Sequence, residues 1–215
     1  MTDKPMNVLV ACEESQRVCR AFRAKGHNAF SCDILPCSGG HPEWHIQGDV
    51  LPLLNGFCEF KTMGETQHRV EAQWDMIIAF VPCTYTSNAG AKHLWKGHKL
   101  NVERYYKGMC GKALFMAVYH ADCPVIVIEN PTPSKIFDYP TPTQFVQPYW
   151  FGDPWSKKTN LWIKGKQPLV PTNMVEPKCN CHEAGTWFMK GGKDRQMNRS
   201  KTPMGLAQAM ADQWG

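Results

Sequence analysis

The chain has 215 residues, 43% of them hydrophobic and eight of them tryptophan, which excludes a disordered polymer and fits one domain with a modest insert. No apolar run approaches the roughly 20 residues of a membrane-spanning helix, and the start MTDKPMNVLVAC lacks a secretory pattern, so a cytoplasmic protein with reduced thiols is expected despite ten cysteines. A net charge of +5 points weakly to a polyanionic partner.

In chain order, Asn7 to Ala11 reads as a short buried strand. A helix is expected over Glu14 to Lys25, with Val18 and Phe22 on one face and Gly26 as its stop. His27 to Cys32 reads as a second strand ending at Asp33, before a loop marked by Pro36, Gly39, Gly40 and Pro42. Trp74 to Val81 is a nearly continuous apolar run, as in a strand covered on both faces of a parallel sheet, and it ends at Pro82-Cys83. A polar loop to about Leu100 precedes a helix over Asn101 to Ala121, and Pro124 to Glu129 reads as another buried strand. Asn160 to Lys164 reads as one more strand, Lys166 to Lys201 as loop, and the segment after Pro203 as a closing helix with the proline in its first turn.

Strands alternating with helices predict a parallel α/β sheet, whose ligands gather at the carboxyl ends of the strands. Asp33, Cys83 and Glu129 all fall at such ends. A thiol and a carboxylic acid on consecutive strand tips suit nucleophilic addition combined with proton transfer.

The segments WDMIIAFVPCTYTS and VIVIENP resemble the two catalytic motifs of the cytosine-5 DNA methyltransferase family, and are most like its short phage and prophage members. The resemblance implies a Rossmann-like S-adenosylmethionine-dependent methyltransferase fold, a mainly parallel twisted sheet with helices on both faces. Cys83 then takes the nucleophile's role and Glu129 partners ring nitrogen N3, while Lys157 and Thr159 stand where the family carries catalytic arginines. The cofactor implied is S-adenosylmethionine. Its contacts would come from Ala11, Cys12, Glu13 and Ser15 in VLVACEES, Asp33 and Ile34 in SCDI, and Asp49 and Val50 in QGDV. Phe80, Pro82, and Ser200 and Thr202 in the C-terminal segment RSKTPMGLAQAMADQW complete that set.

The partner implied is double-stranded DNA with one base flipped out. Thr84, Ser87, Lys92, Lys96, Asn130, Lys158, Lys193 and Arg195 are the expected contacts to it. The division expected is a catalytic core over 1–165, a small recognition-like region over 166–199, and a C-terminal helix over 200–215 that returns to the core.

Three departures from the family pattern stand out: a first loop without its glycines, lysine and threonine in place of arginines, and a short recognition region. Two other readings stay open, a DNA-binding protein on a degenerate methyltransferase fold, and a pyrimidine C5-modifying enzyme acting on nucleotides or RNA. Cys179, Cys181 and His182, and separately Cys32, Cys37, His41 and His45, invite a metal reading, but neither group has a zinc signature's spacing, and no metal is expected.

Overall fold

The computed structural model describes residues 4–180 and 201–215. Its centre is a seven-stranded sheet assembled from β1 (Asn7–Ala11), β2 (Asn28–Asp33), β3 (His45–Gln47), β6 (Met76–Ala79), β9 (Ile126–Asn130), β10 (Gln144–Val146) and β12 (Thr159–Lys164). The spatial order is β10-β12-β9-β6-β1-β2-β3. The five strands from β9 to β3 run parallel, whereas β12 is antiparallel to β9 and to β10.

The apolar strands alternate their side chains between two cores, as period-2 geometry requires. Leu9, Ala11, Ile77, Ala79, Ile126 and Ile128 enter one core with Phe115 and Val118 of α2 (Val102–Tyr119). Val8, Val10, Met76, Ile78 and Val127 enter the other, with Val18 and Phe22 of α1 (Arg17–Ala24) and Leu206, Met210 and Trp214 of α3 (Met204–Trp214). Helices on both faces thus bury both sides of the central strands, which is why those strands read as unbroken apolar runs.

Several expected boundaries shift. Helix α1 starts at Arg17 rather than Glu14, because Cys12 and Gln16 both take the left-handed conformation, each with φ 57°, and hold the intervening residues in a turn. Strand β12 does not join the parallel set. Pro203 stands at the N-cap of α3, one position before its first turn. The segment expected as loop up to Leu100 contains a 3-10 turn, Asn88–Leu94, and a small hairpin of β7 (Trp95–Lys96) with β8 (Lys99–Leu100). A second hairpin, β4 (Cys58–Lys61) with β5 (Gln67–Val70), adds Phe60 and Val70 to the α2-side core. The remaining pair, β11 (Trp155–Ser156) with β13 (Cys179–Asn180), ties the chain after β12 back beside it. Among the described residues no helix is long and apolar enough to cross a membrane.

Candidate functional site at the carboxyl ends of the strands

Chain order reverses direction across the sheet between β1, which leads to β2 and β3 on one side, and β6, which leads to β9 on the other. In an open α/β sheet the loops on either side of such a point diverge, and the crevice expected between them is where ligands bind. Residues 80–87 leave β6 on one side of it and residues 12–16 leave β1 on the other. Phe80 donates its N–H to the Ala11 carbonyl at 2.9 Å, which joins the two strand tips.

Cys83 lies four residues past β6 and is half-buried. Asn130, almost fully buried at the end of β9, donates from Nδ2 to the Val81 carbonyl at 3.0 Å and so anchors the Pro82-Cys83 turn to the neighbouring strand. The Thr86 and Ser87 N–H groups both donate to the Cys83 carbonyl, at 3.2 and 2.9 Å, which closes a tight turn beneath the thiol.

Glu129 precedes Asn130 and pairs with Leu161 across the antiparallel ladder. That antiparallel direction matters. It brings the beginning of β12, not its end, to the tip of β9, so Thr159 and the preceding Lys157 arrive beside Glu129. Lys157 is fixed through its backbone N–H, which donates to Gln147 Oε1 at 2.8 Å. Lys158 turns the other way and lies over the Phe145 ring, 4.9 Å from its centroid.

The electrostatics tie these groups into one unit. Burial pushes the Cys83 thiol up to about 11, the Glu129 carboxylate adds to the shift, and the Lys157 ammonium opposes it. Burial likewise raises Glu129 above the ordinary carboxyl range, against the pull of Lys157 and of the Thr159 hydroxyl. A thiol and a carboxyl that penalise each other's charge favour states in which only one of them is ionised. Tyr139 stands behind this pair: its ring packs edge-on against Phe115 at 4.6 Å, and its buried hydroxyl faces Thr86 and Cys83. Nothing in the sequence singles it out, because it belongs to a proline-rich loop 56 positions past Cys83 in a 215-residue chain.

Across the crevice, the first loop achieves without glycine what glycine usually supplies. Gln16 is fully buried and acts as a clip: its Oε1 accepts from the His41 N–H at 3.0 Å and its Nε2 donates to the His41 carbonyl at 2.8 Å. Gly39 makes this possible, since a Cβ there would stand 2.5 Å from the Gln16 Cβ. Glu13, expected among the cofactor contacts, turns its side chain inward instead. Its two carboxylate oxygens accept the Val18 and Cys19 N–H groups at 2.7 and 3.1 Å, a cap on the start of α1.

Asp33 and Asp49 converge on the Cys12 thiol, which burial and these two charges, with Cys32 between them in influence, push up to about 12. Each aspartate uses Oδ1 in a local turn, accepting from Leu35 N–H at 2.9 Å and Leu51 N–H at 3.0 Å. Ile34 is 74% exposed beside Asp33, an unusual setting for a large apolar side chain. The Val50 side chain, by contrast, is in the α2-side core and Ala11 is fully buried, so neither presents a side chain to the crevice. Ser15 is buried and Pro82 exposed. Next to Asp33, Glu14 is buried with both carboxyl oxygens unpartnered among the described residues, which no local pattern in the sequence signals. A buried unpaired carboxylate is costly and marks a place where donors are wanted.

Of the other expected residues, Thr84, Lys92 and Lys96 are exposed, the two lysines lining an open cleft formed by the β7–β8 hairpin and the start of α2. That cleft also holds Tyr85, Trp95, Arg104 and Lys107, with Arg104 and Lys107 set over the Tyr85 ring at 5.1 and 5.7 Å. Thr202 is buried and its carbonyl accepts from Arg17 Nη1 at 2.6 Å. Ser200, Lys193 and Arg195 lie outside the described residues, as do Cys181 and His182. His45, one of the residues considered for a metal, is fully buried and otherwise engaged. Its Nε2 donates to the Leu35 carbonyl at 2.9 Å, so its Nδ1 accepts from the Ser31 hydroxyl at 2.8 Å. Among the described residues no group of three or more histidine, cysteine or acidic side chains is arranged to hold a metal ion.

A scan of the chain against models of known protein families gives no match, and a search of curated proteins gives none either.

Proposed function

We propose that this chain is an S-adenosylmethionine-dependent DNA methyltransferase that acts on carbon 5 of cytosine with Cys83 as its nucleophile. The observation that carries the reading is the convergence of Cys83, Glu129 and Lys157 on adjoining strand tips, where burial and the Glu129 carboxylate hold the proton on the thiol and burial holds the proton on Glu129, both against Lys157.

Carbon 5 of cytosine is a poor nucleophile until the ring is made electron-rich. In the proposed reaction the Cys83 thiolate forms a bond to carbon 6, the electrons of the 5,6 double bond move into the ring, and Glu129 gives a proton to N3. A carboxyl held above its ordinary range suits that donation, and its proton leaves the carboxylate only as the sulfur's negative charge disappears into the new bond. Lys157 compensates whichever of the two groups is charged. Loss of the carbon 5 proton to water then expels the thiolate, restores the double bond, and returns the N3 proton to Glu129.

S-adenosylmethionine would supply the methyl group as an electrophile. The residues opposite Cys83 fit it chemically: its ammonium, ribose hydroxyls and adenine amine are all hydrogen-bond donors, and Glu14, Asp33 and Asp49 offer carboxylate acceptors, two oxygens of which are buried without partners. Ile34 offers an exposed apolar surface for the adenine. The cleft of Lys92, Lys96 and Arg104 with Tyr85 and Trp95, in which Glu103 pairs Lys107 at 2.6 Å, suits phosphates and an unstacked base beside Cys83.

The test is incubation of duplex DNA with labelled S-adenosylmethionine and either wild-type protein or Cys83→Ser, followed by nucleoside analysis. The expected result is 5-methylcytosine with the wild type alone. Equal product from both proteins, or label on mononucleotide but never on duplex, would overturn the proposal.

A further inference from the structure

The sheet has a second basic cleft on the layer opposite α2. It runs between α1 and α3 and is lined by Arg17, Arg20, Arg23, His41, Trp44 and Gln208. The three arginines recur every third residue along one helix, so they share a face, and at 1.5 Å per residue they form a row about 9 Å long. Arg20 is exposed. The other two are held in place by a single backbone acceptor each: Arg17 Nη1 donates to the Thr202 carbonyl at 2.6 Å, and Arg23 Nε donates to the Ala29 carbonyl at 2.7 Å.

A guanidinium carries five N–H donors, so each anchored arginine is oriented by one hydrogen bond and keeps most of its donors for another partner. Arg23 is oriented further by the Trp44 ring, 5.0 Å from its centroid, and His41 stacks on the same indole with ring centroids 3.9 Å apart and planes nearly parallel. Three acidic groups lie near the cleft: Asp153, which accepts the Gly205 N–H at 3.2 Å and faces Arg17, and two that are paired elsewhere. Glu43 pairs with His41 at 2.9 Å, and Asp212 with Lys25 at 2.6 Å.

We infer that this cleft is a second nucleic-acid surface, one that grips the phosphodiester backbone of a duplex segment other than the one facing Cys83. One strand presents a charge about every 3.4 Å along the duplex axis, so a 9 Å row of cations spans two to three phosphates. The inference goes beyond the proposed reaction, because it concerns the α1–α3 layer and requires no chemistry at Cys83. A protein with basic clefts on both layers of its sheet can hold one stretch of duplex while the other layer engages a second.

The experiment measures binding of a fluorescent 24-base-pair duplex of arbitrary sequence by anisotropy across a series of KCl concentrations. Wild type is compared with Arg20→Glu/Gln208→Glu and with Lys92→Glu/Lys96→Glu. All four positions are exposed, and melting curves check that each variant is folded. Each phosphate contact contributes roughly 0.9 to the slope of log affinity against log salt. Arg20→Glu/Gln208→Glu is expected to lower that slope by about one and to weaken binding at least tenfold, with a further loss when the two pairs are combined. An unchanged slope and affinity in Arg20→Glu/Gln208→Glu, with binding lost in Lys92→Glu/Lys96→Glu, would overturn the second surface and leave the proposed function standing. A wild-type protein that binds no duplex at any salt would overturn both.

Discussion

The mutual opposition of Cys83 and Glu129 makes the thiol's reactivity a direct measure of the site's electrostatics. With the thiol pushed up to about 11, roughly one molecule in a thousand carries a thiolate at pH 8, against about a quarter for an ordinary cysteine of pKa about 8.5. Carbamidomethylation of Cys83 by iodoacetamide is therefore expected to run about two hundred times slower at pH 8 than that of an unperturbed thiol. Its rate should climb tenfold per pH unit until near 11, where an ordinary thiol has long since levelled off. Glu129→Gln removes a like charge and should move the curve to lower pH, while Lys157→Met removes the opposing cation and should move it higher. Peptide mass spectrometry resolves Cys83 from the exposed Cys110, which serves as the internal reference. A Cys83 curve that levels off below pH 9 without any ligand, or that shifts the same way in both variants, would refute the electrostatic account.

Four stability predictions concern the start of α1 and the packing of α3. Glu13→Ala leaves the Val18 and Cys19 N–H groups of α1 without acceptors, and urea unfolding should show a loss of about 2–4 kcal/mol. Burial raises the Glu13 carboxyl from 4.5 to about 7, so its proton is held more tightly in the folded state. Its contribution is complete below pH 4.5 and disappears as pH rises through about 7, and wild-type stability should fall across that interval relative to Glu13→Gln. Trp214 closes α3 onto the core, fully buried and donating from Nε1 to the Gln167 carbonyl at 3.0 Å; Trp214→Ala should cost about 3–5 kcal/mol in the same assay. Gly205→Ala would drive a methyl group into the Phe151 backbone carbonyl at the first turn of α3, and its melting temperature should drop although alanine favours helix.

Much of the frame was legible from one dimension. The runs at Asn7–Ala11 and Met76–Ala79 are apolar at every position because both their faces are covered, and such runs identify central strands without any knowledge of their neighbours. Cys83 and Glu129 could be paired in advance because each ends a run of that kind. The short pieces were not legible. His45–Gln47 is three residues long and alternates nothing, and the β4–β5 hairpin reads as polar loop because only Phe60 and Val70 turn inward.

The long apolar runs disclose the central buried strands and the chemical groups at their ends, since side-chain transfer out of water acts on each segment locally. Tertiary structure alone decided three further things: that β12 runs against β9 and so delivers Lys157 and Thr159 to Glu129, that Glu13 caps a helix while Glu14 is buried unpaired, and that Tyr139 stands behind Cys83. Strand direction and the destination of a loop side chain depend on contacts between residues far apart in the chain, and no local periodicity encodes them.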